Sequence, residues 1–130
     1  MGTGKIGAAF ARIMHGFGCK IIAYKTDENQ ELLHETPKSY KTLDDVFAVS
    51  SVLSVHSTSK ESSYHLFDKT TFSIFKKGMI FINTAHRKFV NTEDLKDAID
   101  NKIIVAVFLD AYQKGRFYIF LELHIQRFSI

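Results

Sequence analysis

Three glycines near the amino end, Gly2, Gly4 and Gly7, stand in the spacing G-x-G-x-x-G. The chemistry open to such a turn is anion binding. The first glycine makes a tight turn, the second lets the backbone approach a pyrophosphate, and the third lets the following helix pack closely on a strand. Amides at the helix start then face the anion, so a small-molecule dinucleotide is the ligand to which the spacing points. The same glycines also suit a helix start that uses them only for packing. Context favours the ligand: Ile6, Ala9, Phe10, Ile13, Met14 and Phe17 recur at helical spacing, and residues 19–24 then read as the buried strand of a mononucleotide-binding unit. The strand expected before Gly2 has no counterpart in the sequence, which begins at Met1.

The elements that must position this turn follow in an alternating order. Residues 51–56, 79–82 and 103–109 are apolar, strand-length runs. Thr42 with Asp45, Asp68 and Asn91 are the expected helix caps between them, with helix stops at Gly16, Gly18 and Gly78. Strands alternating with helices predict an α/β fold, a Rossmann-like parallel sheet with helices on both faces, lacking the first strand. Residues 57–63 read as a serine-rich loop, and residues 116–130 break the rhythm with a dense run of Phe, Tyr, Ile and Leu.

Composition bounds the class. The 130 residues, 45% of them hydrophobic, suffice for one domain with an ordinary core. Seventeen Lys and Arg against fourteen Asp and Glu give a net charge of +3 without a basic stripe, so a nucleic-acid regulator rests on the pI alone and no nucleic-acid partner is expected. The single cysteine, Cys19, cannot form an internal disulfide, and no leader-like segment is seen, so a reducing, cytoplasmic setting is expected. Apolar runs are strand-sized, so no membrane span is expected, and no metal site is read.

Residues 2–24 (GTGKIGAAFARIMHGFGCKIIAY), residues 81–91 (FINTAHRKFVN) and residues 107–112 (VFLDAY) together resemble the cofactor domain of the D-isomer-specific 2-hydroxyacid dehydrogenases. The resemblance covers residues 2–112 as an incomplete dinucleotide-binding domain and leaves 113–130 as a divergent tail. It implies NAD as cofactor, with Gly2, Gly4 and Gly7 in the phosphate turn and the backbone of Lys5 and Ile6 at the pyrophosphate. Where the family has an acid for the adenosine ribose, this chain has Lys25, which cannot accept those hydrogen bonds. That leaves a simple loss of contact, substitution by Asp27, or NADP with Lys25 on a 2′-phosphate. Ser57 and Thr58 match a loop beside the nicotinamide ribose, Thr84, Ala85 and His86 follow the next strand end near Asn83, and Asp110 matches the acid that bonds the nicotinamide amide. His56 and Asp110 also suit plain structural roles, a packed histidine and a turn former.

The family reaction moves a hydride between nicotinamide and a small 2-hydroxy or 2-keto acid, with an Arg on the substrate carboxylate and a His, supported by Glu, exchanging the proton. None of these is matched here, so no catalytic residue is assigned. His86 stands at the Arg position with Arg87 one residue late, Gly115 falls near the Glu position, and His124 is too close in sequence to replace the His. A missing central strand would remove on the order of 10 kcal/mol of aliphatic burial. Residues 117–123 are a candidate substitute strand. Two functional classes therefore stand: the NAD-binding domain of a dehydrogenase, or a catalytically dead remnant that binds nucleotide or associates, as a homodimer for example, through an apolar edge.

Overall fold

A computed structural model describes residues 1–24, 38–58 and 64–109 of the chain. The glycine turn runs into α1 (Lys5–Gly16), followed by β1 (Ile21–Ala23) and β2 (Lys38–Tyr40). Then come α2 (Leu43–Val49), β3 (Val52–Val55), α3 (Lys69–Ile74), β4 (Met79–Asn83), a 3-10 turn (Arg87–Phe89), α4 (Thr92–Asp100) and β5 (Ile104–Leu109). The expected caps are in place. The Thr42 hydroxyl accepts from the Asp45 amide and donates to its carboxylate, Asp68 accepts from the Thr71 amide, and Asn91 accepts from Glu93 and Asp94. Each cap satisfies amides that have no partner within the helix.

Two expectations are corrected. The helix expected to run to Gly78 ends at Ile74, because Phe75 turns to extended backbone and Gly78, at φ +84°, lies in the turn that leads into β4 instead. The sequence reading also missed β2, whose residues Lys-Ser-Tyr carry no apolar run. A strand at the edge of its sheet gives little hydrophobic signal.

All strand pairs among the described residues are parallel: β1 with β2 in one sheet, and β3–β4–β5 in another. Met1 and Gly2 stitch the two together. The Met1 nitrogen donates to the Ser54 carbonyl at 2.8 Å, the Met1 carbonyl accepts from the His56 amide at 2.8 Å, and the Gly2 amide donates to the Tyr24 carbonyl at 3.0 Å. Met1 therefore sits as one residue of a strand between β1 and β3.

The main core lies on one face, where Leu53 and Val55 of β3, Phe81 of β4 and Val107 of β5 meet Phe47, Phe67, Phe72, Leu95 and Ala98. Phe67 stands edge-on to Phe81, with ring centroids 4.9 Å apart, the arrangement that aromatic quadrupoles favour. A second cluster, Ala8 and Ala11 of α1 with Ile21 of β1, lies apart from it, while the adjacent Ile22 packs on the main core. Neighbouring strand residues point to opposite faces, so β1 is covered on both. Farther along, the face opposite the main core is open among the described residues, with Val52, Val105 and Phe108 exposed.

Helix α1 buries Gly7, Ala8 and Ala11, whereas Ile6, Ile13 and Phe17 of the periodic set are 75%, 58% and 80% exposed. Small residues face inward because the helix lies close against the turn, where a Cβ on Gly7 would fall on the Gly2 carbonyl oxygen.

Asn91→Ala removes the acceptor for two amides at the start of α4. We expect a loss of about 1 kcal/mol, read in chemical denaturation, with Asn91→Asp close to the parent.

Candidate functional site

The strand stub at Met1 delivers the chain into the glycine turn at the carboxyl ends of the parallel strands. Gly2 adopts φ +84°, a left-handed conformation that L side chains rarely take, and a Cβ there would stand 2.9 Å from the His56 carbonyl carbon and from the Ser57 amide and hydroxyl. Gly2 and Gly7 are thus fixed by close approach of protein to protein. Gly4 differs: its φ of −66° suits any residue, and nothing lies within 4 Å of where its Cβ would be. That open space adjoins the start of α1, whose N-cap is Gly4 and which has no side-chain cap. The first helical amides are therefore presented outward, with the positive end of the helix dipole behind them.

The arrangement fits a diphosphate. Two glycines close the turn, and the third leaves room beside uncapped amides, in the order the sequence predicts. Lys5 and Ile6, in the first turn of α1, are both exposed.

The neighbouring strand ends complete the edge. After β3, His56 and Ser57 abut Gly2, and Thr58 is exposed. The His56 ring packs on Phe10 of α1 at 5.0 Å and its Nε2 lies 2.9 Å from the Ser54 hydroxyl, so the packed role expected of this histidine is the one observed. After β4, the buried Asn83 shapes the loop: its Nδ2 donates to the His86 carbonyl at 3.1 Å and its Oδ1 accepts from the Ala85 amide at 3.1 Å. Thr84, Ala85 and His86 are exposed there, and His86 Nδ1 accepts from the Lys88 amide, capping the 3-10 turn. The structure thus brings Gly2, Gly4, Lys5, Ile6, Gly7, Ser57 and Thr58 to one edge, with Thr84, Ala85 and His86 following the next parallel strand. Lys25 and Asp110 lie outside the described residues. Among the described residues no cluster of His, Cys, Asp or Glu could hold a metal ion, and no helix is long and apolar enough to cross a membrane.

Residues 1–118 match the family model described as D-isomer specific 2-hydroxyacid dehydrogenase, NAD binding domain. The chain belongs to that family. A D-lactate dehydrogenase of Staphylococcus aureus is 38% identical over 118 residues, which is 91% of this chain and 35% of that protein. A 2-hydroxyacid dehydrogenase homolog of Haemophilus influenzae is 34% identical over 116 residues, 89% of this chain and 35% of that protein. Among solved structures, D-lactate dehydrogenase of Escherichia coli superposes with a TM-score of 0.83 at 30% identity, covering 88% of this chain and 36% of that one. The Aquifex aeolicus D-lactate dehydrogenase, solved with NAD and lactic acid, gives 0.82 at 29% identity over 87% of this chain and 34% of that one. This NAD-binding domain thus spans about a third of the length of the relatives it matches.

Sequence reasoning missed the part played by Met1. A signal was there, since a residue directly before the first glycine of such a turn occupies the last strand position. Its ammonium is buried, which lowers its pKa from 8.0 to about 6. Burial, and then repulsion from the Met1 ammonium, also lower the pKa of His56 below 6.5.

In both groups the unfolded chain binds protons more readily, so their contribution to stability is present above the unfolded pKa values and is lost as pH falls. For Met1 the window runs from pH 8 down to about 6. Denaturation across that window should show a decrease of roughly 2 kcal/mol toward the acid side. Acetylation of the amine should abolish the slope between pH 8 and pH 7; an unchanged slope would mean that Met1 is not the titrating group.

Proposed function

We propose that the chain binds NAD through the glycine turn and serves as the cofactor-binding part of a dehydrogenase acting on a small D-2-hydroxy acid such as lactate. The observation that carries this reading is the open space at Gly4 beside the uncapped start of α1. The backbone of Gly2, Gly4, Lys5, Ile6 and Gly7 holds the pyrophosphate. Ser57 and Thr58 flank the nicotinamide ribose, Thr84, Ala85 and His86 border the nicotinamide end, and Asp110 accepts from its amide. Lys25 meets the adenosine ribose, and its charge keeps NADP as a second cofactor. Residues 2–112 form the dinucleotide-binding unit, and 113–130 a tail outside it. The bound nicotinamide is the hydride carrier of the family reaction; the part of this chain is to bind and orient it. Arg87, one position from the family's carboxylate-binding place, sits in the exposed 3-10 turn with Lys88, so substrate binding and proton exchange are not assigned to residues of this chain.

A second reading, a catalytically dead remnant that associates with another chain or a second copy, is favoured by one observation. Ile6, Ile13 and Phe17 form an exposed apolar stripe along α1 and its end.

Purified 130-residue chain should show a rising melting temperature with NADH and no NADH oxidation on adding pyruvate. Gly4→Ala should leave the unliganded melting temperature within a few degrees of the parent and weaken NADH binding by roughly tenfold or more, since its methyl enters the space beside the amides. Equal NADH binding by parent and variant would refute the placement of the pyrophosphate. Concentration-dependent dimerisation that Ile13→Lys abolishes, with no response to NADH, would favour the second reading.

A further inference from the structure

The glycine turn and the end of β1 are bound to each other, since the Gly2 amide donates to the Tyr24 carbonyl at 3.0 Å. A dinucleotide with its pyrophosphate at the start of α1 therefore carries its adenosine ribose to the carboxyl end of β1. Folds of this kind recognise the ribose 2′-hydroxyl, or a 2′-phosphate in its place, at that point. The residue types there decide between the two. A ribose hydroxyl donates to a carboxylate, whereas a 2′-phosphate accepts through three oxygens and carries about −1.5 to −2 charge at pH 7.

Two strand ends meet at this corner. β1 and β2 run parallel with Ala23 opposite Tyr40, and the Lys41 amide donates to the Ala23 carbonyl at 3.1 Å. The same register sets Lys41 beside Tyr24, on strands about 4.8 Å apart. Its backbone is held by β1, and its side chain is exposed. In the sequence Tyr24 is followed by Lys25, the residue expected at the ribose. A single lysine there is compatible with a lost contact. A second one, delivered by the neighbouring strand, converts the corner from hydrogen-bond acceptor to donor. The described carboxylates nearest in sequence, Asp44 and Asp45, belong to the first turn of α2, where the Thr42 hydroxyl donates to Asp45 at 2.6 Å. Among the described residues no acid stands at the end of β1 or β2 to accept from a ribose hydroxyl.

We propose, resting on the pyrophosphate placement above, that Lys41 is a specificity residue for the cofactor: together with Lys25 it binds the 2′-phosphate of NADP, so that the chain takes NADP(H) in preference to NAD(H). Each ammonium donates a charge-assisted hydrogen bond that exists only when the phosphate is present. Lysine suits the task as a compact charge with three donors on a flexible stem.

The test compares NADPH and NADH binding to the purified 130-residue chain by calorimetry. At low salt NADPH should bind roughly tenfold or more tighter, and the advantage should shrink at high salt because the contacts are exposed. Adenosine 2′,5′-bisphosphate should likewise displace NADPH better than adenosine 5′-monophosphate. Lys41→Gln should lower the ratio of NADPH to NADH affinity roughly fivefold or more, and Lys41→Arg should keep it. The backbone amide of Lys41, not its side chain, pairs with β1, so both variants should melt within a few degrees of the parent when unliganded. Equal affinity of the parent for NADPH and NADH, or a preference that Lys41→Gln leaves unchanged, would overturn the proposal while leaving the pyrophosphate at α1. Binding of neither cofactor would refute that placement and the proposal with it.

Discussion

Three backbone hydrogen bonds around Met1 and Gly2 hold the rest of the structure in register. They join an edge of β1 to an edge of β3, and they do so at the point where the chain turns into α1. Direct pairing between the two sheets is absent among the described strands, so the relative position of β1 and β3 depends on this one residue pair and on the helices above and below. The glycine turn inherits its geometry from the same place. Gly2 can lie against His56 and Ser57 only without a side chain, and Gly7 can lie over Gly2 only on the same condition. Sheet continuity and the shape of the glycine turn are therefore two consequences of one close approach.

Energetically the molecule divides at that junction. On the side of β3, β4 and β5 the phenylalanines 47, 67, 72, 75 and 81 form a continuous aromatic core, buried and ring to ring. Burial of that kind contributes about 1.5–3 kcal/mol per large side chain. On the side of β1 the second cluster consists of two alanines with one partly buried isoleucine against them. The cofactor turn sits over the weakly packed part, so its order depends more on Met1 and on ligand than on side-chain packing. A ligand that binds only the folded form raises stability by mass action, and here it would act where the fold is thinnest.

The sequence made much of this legible where local physics decides. Caps at Thr42, Asp68 and Asn91, the apolar runs of β3, β4 and β5, and the three glycine positions follow from side-chain chemistry at fixed offsets. What it hid depends on tertiary context. Strand β2 is short and polar because it borders the sheet, so no hydrophobic pattern announced it. Helix α1 and its end show Ile6, Ile13 and Phe17 to solvent because close contact with the turn selects glycine and alanine for the inward face, which runs against the usual inference from periodicity. At the site, the buried Asn83 bracing the loop of Ala85 and His86 was readable only as a strand end, since its two hydrogen bonds are to backbone groups brought near by folding.

Family membership in the D-isomer specific 2-hydroxyacid dehydrogenases and the geometry of the turn converge on one ligand class, with the pyrophosphate at the start of α1 as the central claim. The most direct measurement is a titration of isotope-labelled chain with NAD, followed amide by amide in solution NMR. The account predicts that the largest shifts fall on Gly4, Lys5, Ile6 and Gly7, with Ser57 next, while the buried amides of β4 and β5 stay in place. Shifts confined to other surfaces, or none at saturating NAD, would contradict it.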